Sequence, residues 1–415
     1  MESRRVVITG LGTVNAVART APAFAAALQA GRCGIGPITV FDTTGFPTRT
    51  GGEIRDFSPH ETIPEAFYGK RMSRSDVMAM AAALEALQDA GLLPLPGDLR
   101  EETGVAVGGG AGGMLEGEAA FRRHLQGKAA AVRFSAFSAF CCASSADHIV
   151  SKLNLGGPKT TFMTACSSGA TALGYARDLI RDGQARVMIA GGAEPLARTT
   201  YAAFNALKAV DPHYCKPIDR HRAGMSLGEG AGMMVLESLA HALARGARIH
   251  GELLGYGISC DANHMTAPDP EASGAVRCMR AALEDAGVAP SRVDYINAHG
   301  TATPANDRME TVGIKQVFGE RAYAIPVSST KSMTGHTLGA AGAIEAVAAV
   351  LAITGGFIPP TIHLTTPDPD CDLDYVTEGA RRTELAIVLS NSFAFGGNNT
   401  SVVIGRYRTE NRDHA

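Results

Sequence analysis

Cysteine is scarce here: eight in 415 residues. That is too few for a disulfide scaffold, and the adjacent pair Cys141–Cys142 reads as space-filling. Neither CxxC nor HExxH occurs, so no metal site is expected, and a reducing cytoplasmic setting follows. Long apolar runs are also missing. No stretch of about 20 apolar residues escapes interruption by charge or glycine, so no membrane span is expected. The apolar run after Arg5 is too short for a signal-peptide core. Charge of one sign is not in excess: 38 basic residues face 41 acidic ones, for a net charge of -3. Such a balance creates no global attraction for nucleic acid or anionic lipid, and any acidic partner must be met by a local patch.

What is present is an alternation of short apolar strands with longer helical patterns. Val6–Gly10, Thr103–Val107, Val187–Ala190, Gly232–Glu237, Tyr295–Ala298, Leu385–Leu389 and Ser401–Ile404 read as strands. Val77–Ala90, Cys278–Ala286 and Ala343–Thr354 read as helices. The alternation predicts an α/β fold. Many of the 48 glycines cluster where strands run into helices. A boundary near Ala247–Gly251 divides the chain into halves, residues 1–249 and 250–408. Val187–Glu194 and Ile387–Gly397 echo one another across it, each a buried strand entering a glycine-rich turn. The glycines do not make a nucleotide site: Gly10-Leu-Gly12 lacks its third glycine, and Gly108–Gly113 lacks Lys-Ser/Thr.

Cys166 stands at a chemically distinctive place. Thr160–Ala165 is strand-like, and Ala172, Leu173, Ala176, Leu179 and Ile180 recur at helical spacing after it. A thiol at a strand-to-helix turn meets free amides and the positive helix end, which favour thiolate and offer oxyanion donors. A buried structural cysteine fits the same pattern. His299 follows a predicted strand at its C-terminal end, where open α/β sheets place ligands. Lys331 and His336 lie beside the small-residue run Gly335, Gly339, Gly342.

The segment Thr164-Ala-Cys-Ser-Ser-Gly169 resembles the nucleophile motif of elongating β-ketoacyl-acyl carrier protein synthases. Other segments agree in order: Arg4–Gly12, Gly191–Glu194, Gly228–Gly232, Asn297–Pro304, Ser329–His336 and Asn391–Asn398. The resemblance covers residues 3 to 406. It implies a thiolase-like five-layer α-β-α-β-α sandwich of two pseudo-symmetric halves. It implies decarboxylative condensation by Cys166, His299, Lys331 and His336. Phe395 would gate the acyl pocket and, with Cys166, supply an oxyanion N–H. Lys331 would pair with Glu310, and Asp307 would give structural support. Thr301 and Thr303 would hold the phosphopantetheine arm. No cofactor is implied, since that arm belongs to the carrier. The expected partners are acyl carrier protein and a second subunit, either an identical chain or a chain-length factor. Lys70, Arg71, Arg74, Arg133 and Lys208 are the candidate docking cations.

The chain departs from the family's pattern at several points. Ala394 replaces a glycine between the two phenylalanines, Asn398 a threonine, and Ala302 a serine or glycine. Lys216-Pro-Ile-Asp219 and Met225 stand where aromatics are frequent. Ala111 matches a position often filled by a bulky aliphatic residue, so a roomier pocket is expected. Two other readings share these motifs: a thiolase-like acyltransferase on coenzyme A thioesters, and a subunit active only beside a chain-length factor.

Overall fold

The computed structural model describes residues 5–128 and 138–409. Ten strands form the main sheet. They are β1 (Val6–Asn15), β2 (Thr103–Gly108), β3 (Lys159–Phe162), β4 (Val187–Glu194), β5 (Gly230–Ser238), β6 (Gly251–Cys260), β7 (Tyr295–Asn297), β8 (Val327–Ser328), β9 (Ile387–Phe393) and β10 (Asn398–Gly405). Their spatial order is β3-β2-β4-β5-β1 in the first half and β8-β7-β9-β10-β6 in the second. The second order is the first one displaced by five strands. Strand directions repeat as well. The β2–β3, β2–β4, β7–β8 and β7–β9 pairs are parallel, while β4–β5, β1–β5, β9–β10 and β6–β10 are antiparallel. The echo between Val187–Glu194 and Ile387–Gly397 is therefore topological: β4 and β9 are equivalent strands. The halves meet where β1 and β6 share two residue pairs, Val7–Glu252 and Ile8–Gly251.

Six helices matter for the site: α1 (Arg74–Asp89), α2 (Ser168–Arg181), α3 (Arg198–Ala206), α4 (Ser273–Asp285), α5 (Pro304–Phe318) and α6 (Ala341–Gly355). α1 begins where Ser73 and Asp76 form a reciprocal capping box. It lies flat on β1: a Cβ at Gly12 would sit 1.9 Å from the Ala82 carbonyl oxygen. α4 covers β6 and β10 from the opposite outer side, and α5 packs on α4. α2 and α6 pack on each other and touch strands of both halves. The layers are thus α1, the first half of the sheet, α2 with α6, the second half of the sheet, and α4 with α5.

The central position explains the composition of α6. Its sequence, Ala-Gly-Ala-Ile-Glu-Ala-Val-Ala-Ala-Val-Leu, is buried nearly all round, as a helix between two sheets must be. Gly169, on α2, allows the close approach, since a Cβ there would meet the Ala343 Cβ at 2.9 Å. The helical run Leu338–Gly355 is long and apolar enough to cross a membrane, but 78% of it is buried inside this fold.

Candidate active site

The parallel strands β3, β7, β8 and β9 deliver the candidate residues from their C-terminal ends. Cys166 follows β3 in a single tight turn, Ala165–Ser167, that leads directly into α2. The strain of this elbow falls on Ala165, at φ +52°. The two serines after the cysteine close it: Ser167 Oγ donates to the Thr164 carbonyl, and Ser168 Oγ accepts from the Thr164 N–H at 2.9 Å.

Cys166 is 5% exposed. His336 Nε2 lies 3.1 Å from its sulfur. The His299 ring stands edge-on to His336 with centroids 5.3 Å apart, and the sulfur and one nitrogen of each ring fall within 4.8 Å of one another. The Phe395 N–H faces the sulfur and favours its ionised form, the side on which an oxyanion donor is needed. The thiol itself departs from expectation. Burial pushes it up to about 12, outweighing the opposing pull of Lys331 and the Phe395 N–H. At rest the group is a neutral thiol, because desolvation beats the favourable helix end.

Burial, and then the Lys331 charge, holds both histidines well below their ordinary value, so both are neutral at physiological pH. The His336 tautomer is set by its neighbour: Nδ1 accepts the Leu338 N–H at 3.3 Å. The ring proton is therefore on Nε2, and His336 faces the sulfur as a donor.

Lys331 corrects the sequence reading. Its ammonium donates to Glu345, not Glu310. Glu345 lies in the first turns of α6, the buried central helix, and meets Lys331 in a fully enclosed pair. Glu310 is occupied elsewhere: its two oxygens accept the His299 and Gly300 N–H groups at 2.8 Å, and Oε1 also takes Asn391 Nδ2 at 3.1 Å. Glu310 thereby fixes the backbone that carries His299. Asp307 acts similarly one turn earlier on α5. It accepts from the N–H groups of Ile218 and Ala302, at 2.8 and 3.1 Å. Both of those residues have left-handed backbones, φ +71° and +66°. Ala302 thus occupies a conformation that glycine adopts freely.

Two cavities meet at the sulfur. One, of about 290 Å³, opens past Lys208, Thr301, Thr303 and Asn399. The other, of about 200 Å³, runs past Ala111, Met114, Thr200 and Leu338. Cys166, Phe204 and Phe395 line both. The Phe204 and Phe395 rings stack at 5.6 Å and form the partition. Phe204, on α3, carries no local signal and was not foreseen. Thr301 and Thr303 are hydrogen-bonded to each other at 3.0 Å in the outer cavity. Ala394 is extended, φ -112°, so its Cβ costs nothing there. The left-handed positions of this turn are Gly396 and Gly397.

Of the docking cations, Lys70, Arg71 and Lys208 are exposed, and Lys208 stands at the cavity mouth. Arg74 is not available. It is largely buried, forked onto Glu229 with bonds of 2.8 and 2.6 Å, because the start of α1 packs against the loop preceding β5. Arg133 lies outside the described residues.

Comparison with known proteins agrees with this geometry. A curated relative, 3-oxoacyl-[acyl-carrier-protein] synthase 2 of Synechocystis sp., is 44% identical, covering 98% of this chain and 99% of its own. Among solved structures, the ishigamide ketosynthase/chain length factor superposes with a TM-score of 0.91 at 40% identity, over 98% of this chain and 100% of that one. A type II PKS ketosynthase solved in complex with its acyl-carrier protein and bound to the hexaketide gives 0.89 at 33% identity, over 98% and 100%. The β-ketoacyl synthase N-terminal domain model matches residues 3–242, and the C-terminal domain model residues 250–365. Both domains of that family are present in order, and the chain belongs to the β-ketoacyl synthase family.

Proposed function

We propose that this enzyme lengthens acyl chains by decarboxylative Claisen condensation with malonyl-acyl carrier protein. The observation that carries the reading is the convergence of a cysteine sulfur and two neutral imidazoles where two cavities meet.

The chemistry follows from the residues. An acyl thioester enters by the outer cavity, past Thr301 and Thr303. The Cys166 sulfur attacks its carbonyl, the thiol proton leaves with the departing phosphopantetheine sulfur, and the acyl chain passes into the cavity lined by Ala111. Malonyl-carrier protein then takes the outer cavity. Its C–C bond to the carboxylate breaks, carbon dioxide leaves, and the electron pair forms a thioester enolate. Neutral imidazole N–H donors suit that enolate oxygen, and His336 presents Nε2–H in the required direction. The enolate carbon attacks the Cys166 thioester. The resulting oxyanion is held by the N–H groups of Cys166 and Phe395, and its collapse breaks the C–S bond, releasing β-ketoacyl-carrier protein and leaving the Cys166 thiolate, which takes a proton from water to return to the thiol. Every group needed belongs to the chain or the substrate, so the reaction runs without a cofactor.

Acyl carrier protein is the partner, docking at Lys208, Lys70 and Arg71. A homologous second subunit, identical or of the chain-length-factor kind, completes the assembly. The open outer edge of β3, followed by the 66%-exposed Met163, supports pairing on that side.

Intact-protein mass spectrometry with acyl- and malonyl-carrier protein tests the proposal. Wild type should gain the acyl mass and release β-ketoacyl product, while Cys166→Ala gains nothing. Absence of any acyl adduct with every donor tried would overturn it, and acylation without product would assign activity to a two-subunit complex.

A further inference from the structure

Glu194 ends β4 and is 1% exposed. No lysine, arginine or histidine pairs with it among the described residues. Three backbone groups do: Oε2 accepts from Gly110 at 2.8 Å and Gly339 at 3.0 Å, and Oε1 accepts from Ala111 at 2.6 Å. Burying a carboxylate without a cation is costly, so those three bonds serve some structural end.

The Gly339 bond shows which. Leu338, just before it, is held at φ +46°, a conformation that a bulky L-residue adopts only when its surroundings impose it. The fit is tight on both sides: a Cβ at Gly339 would stand 2.4 Å from Glu194 Oε2. The same turn points the Leu338 N–H at His336 Nδ1. A chain of contacts thus runs from the carboxylate to the Gly339 N–H, through the strained turn, to the ring that faces Cys166. The other two bonds anchor Gly110 and Ala111, which line the second cavity.

We propose that Glu194 is a positioning residue for the condensation step: by pinning the strained Leu338–Gly339 turn it holds His336 as the Nε2–H tautomer that donates to the enolate. The inference rests on the function proposed above, but its central observable does not. Were the turn to relax, the Leu338 N–H would swing away and Nδ1 could carry the proton. His336 would then present a lone pair to the enolate oxygen instead of a donor.

The test is Glu194→Gln, which keeps size but sets an amide NH₂ against backbone donors. Nitrogen NMR of histidine-labelled protein, with His336→Asn for assignment, reads the tautomer directly and needs no substrate. Wild type should show a protonated Nε2 at His336, and E194Q a mixture. Condensation should fall about tenfold or more, in line with loss of a positioned proton donor, while acylation of Cys166 changes less than about threefold on the same grounds. Leu338→Gly in the E194Q background should recover part of the condensation rate, because glycine takes φ +46° unaided. If E194Q does not fold, Glu194→Asp, which keeps the charge but withdraws the carboxylate from the Gly339 N–H, should give the same split. An unchanged His336 tautomer, with condensation and acylation falling together, would overturn the proposal. Failure of wild type to acylate at all would instead sink the assigned reaction and leave the tautomer measurement standing.

Discussion

Lys331 donates its ammonium to Glu345 in a pair closed off from solvent. The pair keeps a positive charge beside both histidines, where it depresses their basicity after burial has done so. Replacing Lys331 by Met should raise both ring values towards the ordinary 6.5. In the proposed reaction the neutral rings are the active form, so activity should be lost as pH falls, and the variant should lose it at higher pH than wild type. A protonated His336 would also set an Nδ1–H against the Leu338 N–H. The pH–rate profile of condensation checks this: the acid limb should move up, with a rate loss of about 100-fold. The stranded Glu345 should cost about 3–5 kcal/mol of stability, read by denaturant unfolding.

Ala111 lines the second cavity on the wall anchored by Glu194. Ala111→Ile should fill part of its approximately 200 Å³. Competition between short and long acyl donors, followed by mass spectrometry, should show long-chain loading falling about tenfold or more, with short chains unaffected. An unchanged chain-length distribution would remove Ala111 from the determinants.

Lys208 and Arg71 are exposed, whereas Arg74 is locked onto Glu229. Charge reversal of the first two should raise KM for the carrier substrate about tenfold with little change in kcat, and more strongly at low salt. Arg74→Ala should behave differently. It leaves Glu229 buried without its cation, so unfolding measurements should show a loss of about 3–5 kcal/mol.

Asp307 braces two left-handed residues at once, Ile218 and Ala302. Asp307→Ala should destabilise the protein by about 2–3 kcal/mol through unsatisfied buried N–H groups. It should also raise KM for carrier substrates, because Ala302 sits between Thr301 and Thr303. Ala302→Gly should be neutral or stabilising by up to about 1 kcal/mol, since glycine takes φ +66° freely. Denaturant midpoints of the two variants distinguish these effects.

The residues that cluster at the candidate site were legible in the sequence because each sits in a rigid local motif. A strand stop, a small residue and a helix start are enough to place Cys166 on an elbow, and the strand before His299 is enough to aim it at the sheet's C-terminal edge. The two-half architecture was visible as a single echo, β4 against β9, since equivalent strands must bury equivalent runs. Partnership was not legible. Lys331 could reach any buried acid, and only the packing of α6 against the turn after β8 selects Glu345 over Glu310. Arg74 read as a surface cation because sequence shows charge but not burial. Phe204 lies outside the motifs and joins the site only when α3 brings it onto Phe395. Even the thiol's resting protonation belongs to the tertiary structure. The helix end that favours thiolate is local and readable, but the desolvation that overrides it comes from residues folded in from both halves.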